Sequence, residues 1–171
     1  MTASNGAISI YGINDTTINN SLTGRINLGT NGIGLASKTQ DGMSIAGADL
    51  VNMTNTGVIQ SLSGAVSPLG MYAFNNNATP VRTEVNATNA GTIDMIASDT
   101  GTGAYVANGQ FVNTGTIGVG LNGIAVYADN SDINTSGTIN LSGNNAIGFN
   151  LVNGSSFSNA TGTINITGTN A

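Results

Sequence analysis

The chain contains no cysteine, histidine or tryptophan and only two prolines, and charged residues occupy 6% of its 171 positions. Without histidine or cysteine, neither a Ser-His-Asp nor a Cys-His catalytic arrangement can form, and zinc loses its usual ligands. The three basic residues are too few for a nucleic-acid footprint. No apolar run is long enough for a membrane-spanning helix. We therefore expect no metal site, no cofactor, no nucleic-acid partner and no insertion into a membrane.

An internal repeat occupies most of the chain instead. Apolar residues make up 39% of the sequence and recur at fixed offsets, which a disordered chain does not show. The tripeptide Gly-Thr-Ile starts at Gly91, Gly115, Gly137 and Gly162, and looser copies start at Gly6, Gly24 and Gly57. A repeat of this length indicates a solenoid built from stacked units.

Each repeat unit holds three short apolar runs separated by Asn, Gly, Ser or Asp. Period-two alternation between turn residues is typical of β-strands, and three short strands cannot bury their apolar sides alone. Stacking each strand on its equivalent in the next unit solves that problem. The sequence therefore predicts an all-β fold, a right-handed parallel β-helix with about seven coils and three short strands per coil.

The whole chain, residues 1–171, reads as a single β-helical segment and as a fragment of a longer protein. Residues 1–23 match the repeat least well, and we expect an irregular or fraying first coil there. Two repeats are longer than the others, which predicts loop insertions at residues 38–48 and 75–84. Pro80 lies in the second of these segments, as expected for a loop.

The isoleucine of each repeat is expected to point inward and to stack on its equivalents in neighbouring coils. Burial of one such side chain stabilises the fold by about 1.5–3 kcal/mol. The predicted interior ladder consists of Ile26, Ile59, Ile93, Ile117, Ile139 and Ile164, with Ile8 as its first member.

An asparagine precedes each later repeat glycine by two or three residues. Asparagine tolerates the left-handed backbone conformation, and its side chain can hydrogen-bond to neighbouring coils. The predicted corner ladder consists of Asn55, Asn89, Asn113, Asn134 and Asn159.

The second strand of each unit is the more promising binding element. Strict alternation predicts that two aliphatic positions of this strand point inward. These are Ile33, Leu69, Ile124 and Ile147, and two residues later Leu35, Met71, Val126 and Phe149. The same alternation predicts a smooth outward column of Gly34, Gly70, Ala104, Ala125 and Gly148.

Beside that column lie the predicted binding residues Ala36, Tyr72, Val106, Tyr127 and Asn150. Tyrosines over small residues are common at protein interfaces. The alternative is structural: small residues suit tight stacking, and the tyrosines cover neighbouring backbone.

The motifs Asn113-Thr114-Gly115-Thr116-Ile117 and Gly123-Ile124-Ala125-Val126-Tyr127-Ala128 carry a family resemblance. They resemble the repeats of the passenger domains of bacterial type V autotransporters, in particular the large fusobacterial adhesins. The resemblance covers nearly the whole chain and implies a secreted surface stalk, held at the outer membrane by a translocator domain outside this sequence. It carries over no catalytic residue.

Carboxylates are the enzymatic groups to consider next, because many β-helices are polysaccharide lyases or glycosidases. A polysaccharide lyase or glycosidase needs paired carboxylates, and Asp94 with Asp99 or Asp129 with Asp132 are the candidate pairs. An Asp pair in an Asn/Ser-rich turn is more often simply solvated. We therefore expect no enzyme, with a carbohydrate-active β-helix enzyme and a passive spacer as the alternatives.

The leading hypothesis is an extracellular adhesin segment on the bacterial cell surface. Its partner would be a protein or glycan receptor on another cell. The exposed ends of the excised solenoid also predict end-to-end self-association.

Overall fold

Each repeat unit supplies three short β-strands, and successive units stack so that every strand pairs in parallel with its equivalent in the next unit. The result is a right-handed parallel β-helix, as the sequence predicts. The computed structural model describes residues 1–39, 50–159 and 161–171. Six complete coils and the first strand of a seventh are present in this part of the chain.

Three parallel sheets run along the column. Sheet A holds the repeat strands β1 (Thr2–Ala3), β4 (Arg25–Leu28), β7 (Val58–Ser61), β10 (Thr92–Met95), β13 (Thr116–Val119), β16 (Thr138–Leu141) and β19 (Thr163–Ile166). Sheet B holds β2 (Ile8–Ile13), β5 (Ile33–Lys38), β8 (Leu69–Phe74), β11 (Thr102–Ala107), β14 (Ile124–Asp129) and β17 (Ile147–Val152). Sheet C holds β3 (Thr16–Asn20), β6 (Val51–Asn55), β9 (Val85–Asn89), β12 (Gln110–Asn113), β15 (Asp132–Thr135) and β18 (Ser156–Asn159).

One strand from each sheet makes a coil, so coil 1 is β1 to β3 and coil 6 is β16 to β18. The single helical element in the described residues is a 3₁₀ turn, Arg82–Glu84. No helix in that part of the chain has both the length and the apolar character needed to cross a membrane.

The predicted interior ladder is present along sheet A. Ile26, Ile59, Ile93, Ile117 and Ile139 pair in register and are all buried. The ladder forms because each strand alternates, so that the residues on either side of the isoleucine face outward.

The two ends of this ladder differ from the prediction. Ile164 pairs with Ile139 but remains 40% exposed, because β19 is the last strand of its sheet. The assignment of Ile8 is wrong: it pairs with Ile33 in sheet B. Ile8 lies 25 residues before Ile33, which is one coil length, but only 18 residues before Ile26.

The segment 1–23, expected to be irregular, contributes three strands that pair in register with coil 2. Fraying of this coil in solution stays a prediction. The predicted insertion 75–84 connects β8 to β9 with ten residues, where two residues connect β11 to β12. Of the predicted insertion 38–48, Lys38 ends β5, and residues 40–48 lie outside the described part of the chain.

The strands of sheet B bend at their second residue, which overturns the predicted alternation. A Cβ on Gly70 would lie 2.7 Å from Cγ2 of Ile93 and 2.5 Å from the carbonyl oxygen of Gly103, so this position faces the interior. Met71, the next residue, is also buried. Two consecutive positions therefore point inward, and Leu69 before them is partly exposed.

The predicted outward column is thus an inward one. In register it consists of Gly34, Gly70, Gly103, Ala125 and Gly148, and Ala104 lies one position later beside Met71. The aliphatic positions before it, Ile33, Leu69, Ile124 and Ile147, face outward, whereas Leu35, Met71 and Val126 are buried as predicted. Phe149, in the last strand of sheet B, is partly buried against the core.

A ladder of buried asparagine side chains runs along the end of sheet C. Nδ2 of Asn55 donates to Oδ1 of Asn89 at 2.8 Å, and Nδ2 of Asn89 donates to Oδ1 of Asn113 at 2.8 Å. Each also donates to a backbone carbonyl of the sheet A strand one coil beyond the strand that follows it in the chain, at Thr92 and Thr116. The ladder joins each coil to the next without leaving these amides unpaired.

The membership of this ladder differs from the prediction at both ends. Asn20 begins it, donating from Nδ2 to Oδ1 of Asn55 at 2.8 Å, and Oγ1 of Thr135 ends it by accepting from Asn113 at 3.1 Å. Asn134 is exposed because Thr135, one residue later, holds the register position of Asn113. Asn159 pairs with Thr135 but is also exposed, and its Oδ1 accepts from the backbone of Gly162.

Left-handed backbone occurs at other asparagines. Asn108, Asn130 and Asn153, in the turns between sheets B and C, have φ of 53°, 46° and 51°. The ladder residues Asn55, Asn89 and Asn113 end extended strands instead.

Candidate binding surface

The outer face of sheet B is a largely apolar surface that the repeats build. Three columns of outward side chains cross its six strands. The first column is aliphatic and consists of Ile8, Ile33, Leu69, Thr102, Ile124 and Ile147. The second, here called the tyrosine column, consists of Tyr11, Ala36, Tyr72, Tyr105, Tyr127 and Asn150. The third consists of Ile13, Lys38, Phe74, Ala107, Asp129 and Val152.

Three rings of the tyrosine column stack along the axis of the β-helix. The ring centroids of Tyr72 and Tyr105 are 5.3 Å apart with planes at 17°, and those of Tyr105 and Tyr127 are 5.2 Å apart with planes at 5°. Phe74 extends the aromatic surface, with its centroid 6.3 Å from that of Tyr72. Such pairs contribute about 0.5–1.5 kcal/mol each beyond the area they bury, so the rings are held in a fixed array.

Three of the five predicted binding residues lie on this surface. Tyr72, Tyr127 and Asn150 are partly exposed members of the tyrosine column. Ala36 belongs to the same column but is only 1% exposed. It lies between Tyr11 and Tyr72 in the register, so its neighbours cover it and it offers no contact surface.

The assignment of Val106 is wrong. Val106 pairs with Ala73 and Ala128 and is buried, whereas Tyr105 pairs with Tyr72 and Tyr127. Alignment of the repeat units by their glycines predicts that β11 starts at Gly103, although Thr102 is the residue in register with Leu69. This one-residue slip moves every side chain of a strand to the opposite face.

Tyr11 and Tyr105 were missed by the sequence reasoning. Tyr11 lies 25 residues before Ala36, and Tyr105 lies 22 residues before Tyr127. Alignment of the units by these tyrosines, rather than by their first glycines, reveals both residues.

A shallow cleft of about 280 Å³ borders the tyrosine column. Its walls combine apolar groups with hydroxyls, contributed by Ser67, Pro68, Leu69, Thr100, Thr102, Tyr105 and Tyr127.

Burial raises the pKa of Tyr105, and the nearby Tyr72, Asp129 and Tyr127 raise it further. Burial, followed by Tyr11, also raises the pKa of Tyr72. These phenols therefore stay protonated at neutral pH, able both to donate and to accept hydrogen bonds.

Only two charged residues occur in the six strands of sheet B. Lys38 ends β5 in coil 2, and Asp129 ends β14 in coil 5. Both lie in the third column, and Oδ1 of Asp129 accepts a hydrogen bond from Nδ2 of Asn153 at 2.7 Å.

The candidate carboxylates have separate local partners. Oδ1 of Asp94 accepts from the backbone nitrogen of Ile96 at 3.0 Å, and Oδ1 of Asp99 accepts from Nδ2 of Asn122 at 3.1 Å. Asp132 forms an ion pair with Arg82. Within the described ranges, no three acidic residues come together as a metal site would require.

Arg82 ties the insertion 75–84 to the later coils. Its Nη2 donates to Oδ1 of Asn130 at 2.6 Å and to the carbonyl oxygen of Gly154 at 3.1 Å, and its Nη1 donates to Asp132. Oδ1 of Asp132 also accepts from Oγ of Ser156 at 2.8 Å. The hydrogen bond from Ser156, followed by the contact with Arg82, lowers the pKa of Asp132.

Comparisons of this chain with protein-family models, with curated proteins and with solved structures found no match.

Proposed function

We propose that this chain is a non-enzymatic segment of a secreted bacterial surface adhesin, and that the outer face of sheet B contacts a protein or glycan receptor on another cell. The observation that carries the proposal is the stacked, partly exposed tyrosine column on a face with only two charged side chains. Exposed aromatic side chains in a rigid array supply large contact area at little cost in conformational entropy.

The architecture supports a stalk that also carries the contact surface. Six coils at about 4.8 Å per strand spacing give a column roughly 29 Å long, and the outer face of sheet B runs along its full length. The face grows with every added coil, so a longer solenoid presents a proportionally longer surface.

The motif Asn-x-Gly-Thr-Ile supports assignment to the type V autotransporter passengers, with an extracellular location at the outer membrane. The full-length gene tests this assignment. A signal peptide before these repeats and a translocator domain after them are the expected result, and their absence from the complete reading frame contradicts it.

Binding of the purified chain to cell surfaces, immobilised proteins and glycan arrays tests the proposed face. We expect Tyr105→Asp and Tyr127→Asp to lower binding at least about tenfold, because each places a charge in the contact area. Asn134→Asp, an exposed position on sheet C, is the matched control and should leave binding unchanged. Circular dichroism verifies that each variant is folded.

Three results contradict the proposal. Binding that survives both tyrosine substitutions rejects the face. No binding to any target indicates a passive spacer. Cleavage of polysaccharides by the wild type, abolished by Asp129→Asn or Asp132→Asn, indicates a carbohydrate-active enzyme instead.

A further inference from the structure

The two charges on the outer face of sheet B lie in the same column of outward side chains, three coils apart. Lys38 lies in coil 2 and Asp129 in coil 5, both in the third column. From this arrangement we infer that the face binds a second copy of this chain, face to face and with the axes of the two β-helices antiparallel. The inference rests on the binding face of the proposed function and names one partner for it.

A two-fold axis along the strand direction, between coils 3 and 4, generates this pairing. It places coil 2 of one copy over coil 5 of the other, while each column of side chains meets the same column. Lys38 then meets Asp129 of the second copy, and the symmetry repeats the contact, so the dimer has two ion pairs. A self-complementary patch of this kind is what a two-fold interface requires.

The same axis pairs large side chains with small ones. Phe74 in coil 3 lies over Ala107 in coil 4, and Tyr127 in coil 5 lies over Ala36 in coil 2; both alanines are buried, so no protruding side chain opposes either ring. At the centre, Tyr72 and Tyr105 of the two copies meet. Only this pair brings rings of the two copies together, where aromatic contacts are favourable.

Other face-to-face arrangements leave the charges without partners. A parallel pair exchanges the first and third columns, so Lys38 would face Ile33 and Asp129 would face Ile124. A shift of the antiparallel pair by one coil places Lys38 over Ala107 or Val152. A charge that the interface covers without a partner disfavours the complex, so the charges select one orientation and one register.

The area of the face predicts a weak and reversible dimer. Six strands of six residues span roughly 29 Å by 20 Å, which gives roughly 580 Å² for each copy. The total lies near the lower end of specific protein interfaces. A longer solenoid with more such coils would bind more tightly.

Charge reversal tests the inference by sedimentation equilibrium. We expect the wild type to dimerise, and Lys38→Asp or Asp129→Lys alone to weaken dimerisation at least about tenfold, because both ion pairs become like-charge contacts. The double variant Lys38→Asp/Asp129→Lys should recover the wild-type dissociation constant. A mixture of the two single variants should form a heterodimer, while each remains monomeric alone.

The matched controls are Arg25→Asp and Asp94→Lys, which change the same charges on the outer side of sheet A. They should leave dimerisation unchanged. A wild type that stays monomeric at its highest soluble concentration overturns the inference, as do single reversals that dimerise like the wild type.

Cysteine cross-linking tests the orientation, because the chain has no cysteine of its own. Ile33→Cys in coil 2 and Ile124→Cys in coil 5 are three coils apart, or roughly 14 Å. An oxidised mixture of the two single variants should give a disulfide-linked heterodimer, and neither variant alone should cross-link. Homodimer cross-links would indicate another register of the antiparallel pair, and the absence of any cross-link would indicate another orientation; either result overturns the inference.

These outcomes separate the two proposals. If the tyrosine substitutions abolish binding to another cell while the charge reversals leave the chain monomeric or unchanged, the receptor proposal stands and self-association fails. If the charge pattern controls dimerisation and no other target binds, the face is a self-association surface and the receptor proposal fails.

Discussion

The side-chain amide of Asn55 donates to the side-chain oxygen of Asn89 across 2.8 Å, in the interior of the β-helix. The same geometry continues from Asn89 to Asn113, so the side-chain oxygen of each asparagine accepts a hydrogen bond from the amide nitrogen of the one before it. Removal of Asn89 therefore leaves one amide hydrogen of Asn55 and the side-chain oxygen of Asn113 without a partner.

Asn89→Ala should lower the free energy of unfolding by about 1–3 kcal/mol or more, since it leaves an unpaired donor on Asn55 and an unpaired acceptor on Asn113. Asn134→Ala is the matched control, because this asparagine is exposed and outside the ladder. Its effect should stay within about 0.5 kcal/mol. Urea unfolding followed by circular dichroism measures both, and equal effects would contradict the role of the ladder.

Gly70→Ala should destabilise the fold by about 1–3 kcal/mol, because the added methyl overlaps backbone as well as Ile93. Gly148 belongs to the same inward column, but a Cβ there meets only Cδ1 of Leu141, at 3.6 Å. Gly148→Ala should therefore be neutral or stabilise by up to about 1 kcal/mol. Comparison of the two melting temperatures checks this, and a neutral Gly70→Ala would show that the column faces outward.

The contribution of Asp132 to the free energy of unfolding should depend on pH. The folded-state pKa of Asp132 lies below its ordinary value of 3.8, so its contribution is complete above pH 3.8 and disappears as the pH falls through the folded pKa. The stability difference between the wild type and Asp132→Asn should shrink over that range. Because the side chain of Asp132 is 41% exposed, solvent screening keeps the effect small.

NMR titration of the Asp132 carboxyl group gives a direct measurement. In Ser156→Ala the pKa should rise toward 3.8, because the largest contribution to its lowering is lost. An unchanged pKa in that variant would contradict the assigned cause.

A polypeptide of these 171 residues should also associate end to end. Strand β19 has a partner on one side only, and Ile164 and Ile166 are 40% and 57% exposed. Ile166→Lys should remove species larger than a dimer in light scattering, because unpaired apolar strand edges drive such growth. Charge reversal at Lys38 should not affect these species, and growth that survives Ile166→Lys would contradict the prediction.

The sequence predicts the architecture well, because the repeat isoleucine and the asparagine two residues before the repeat glycine recur at nearly constant spacing. Ile59, Ile93 and Ile117 are buried as expected, and Asn55, Asn89 and Asn113 form the ladder. Stacked coils amplify such a signal, since every copy must fit both of its neighbours.

The candidate surface was harder to predict, because period-two alternation fails where a strand bends. The bend at Gly70 places two consecutive residues inside, so strict alternation predicts the wrong face for the glycine column and for the aliphatic column. A register counted from Gly103 selects Val106, whereas the register of the strand itself, which pairs Thr102 with Leu69, selects Tyr105. The predicted place of Asn134 in the ladder is wrong for a similar reason, since its neighbour Thr135 holds that position. Each error is one residue in size, the smallest shift that exchanges the two sides of a strand.

The ten residues that connect β8 to β9 lie at one corner of the β-helix, and the strands on either side of them keep their register with the next coil. Residues can therefore be inserted at this corner without changing the strand pairing of the neighbouring coils. Sequence variation between related chains should concentrate there, and the same corner is a suitable place to insert a foreign peptide for display.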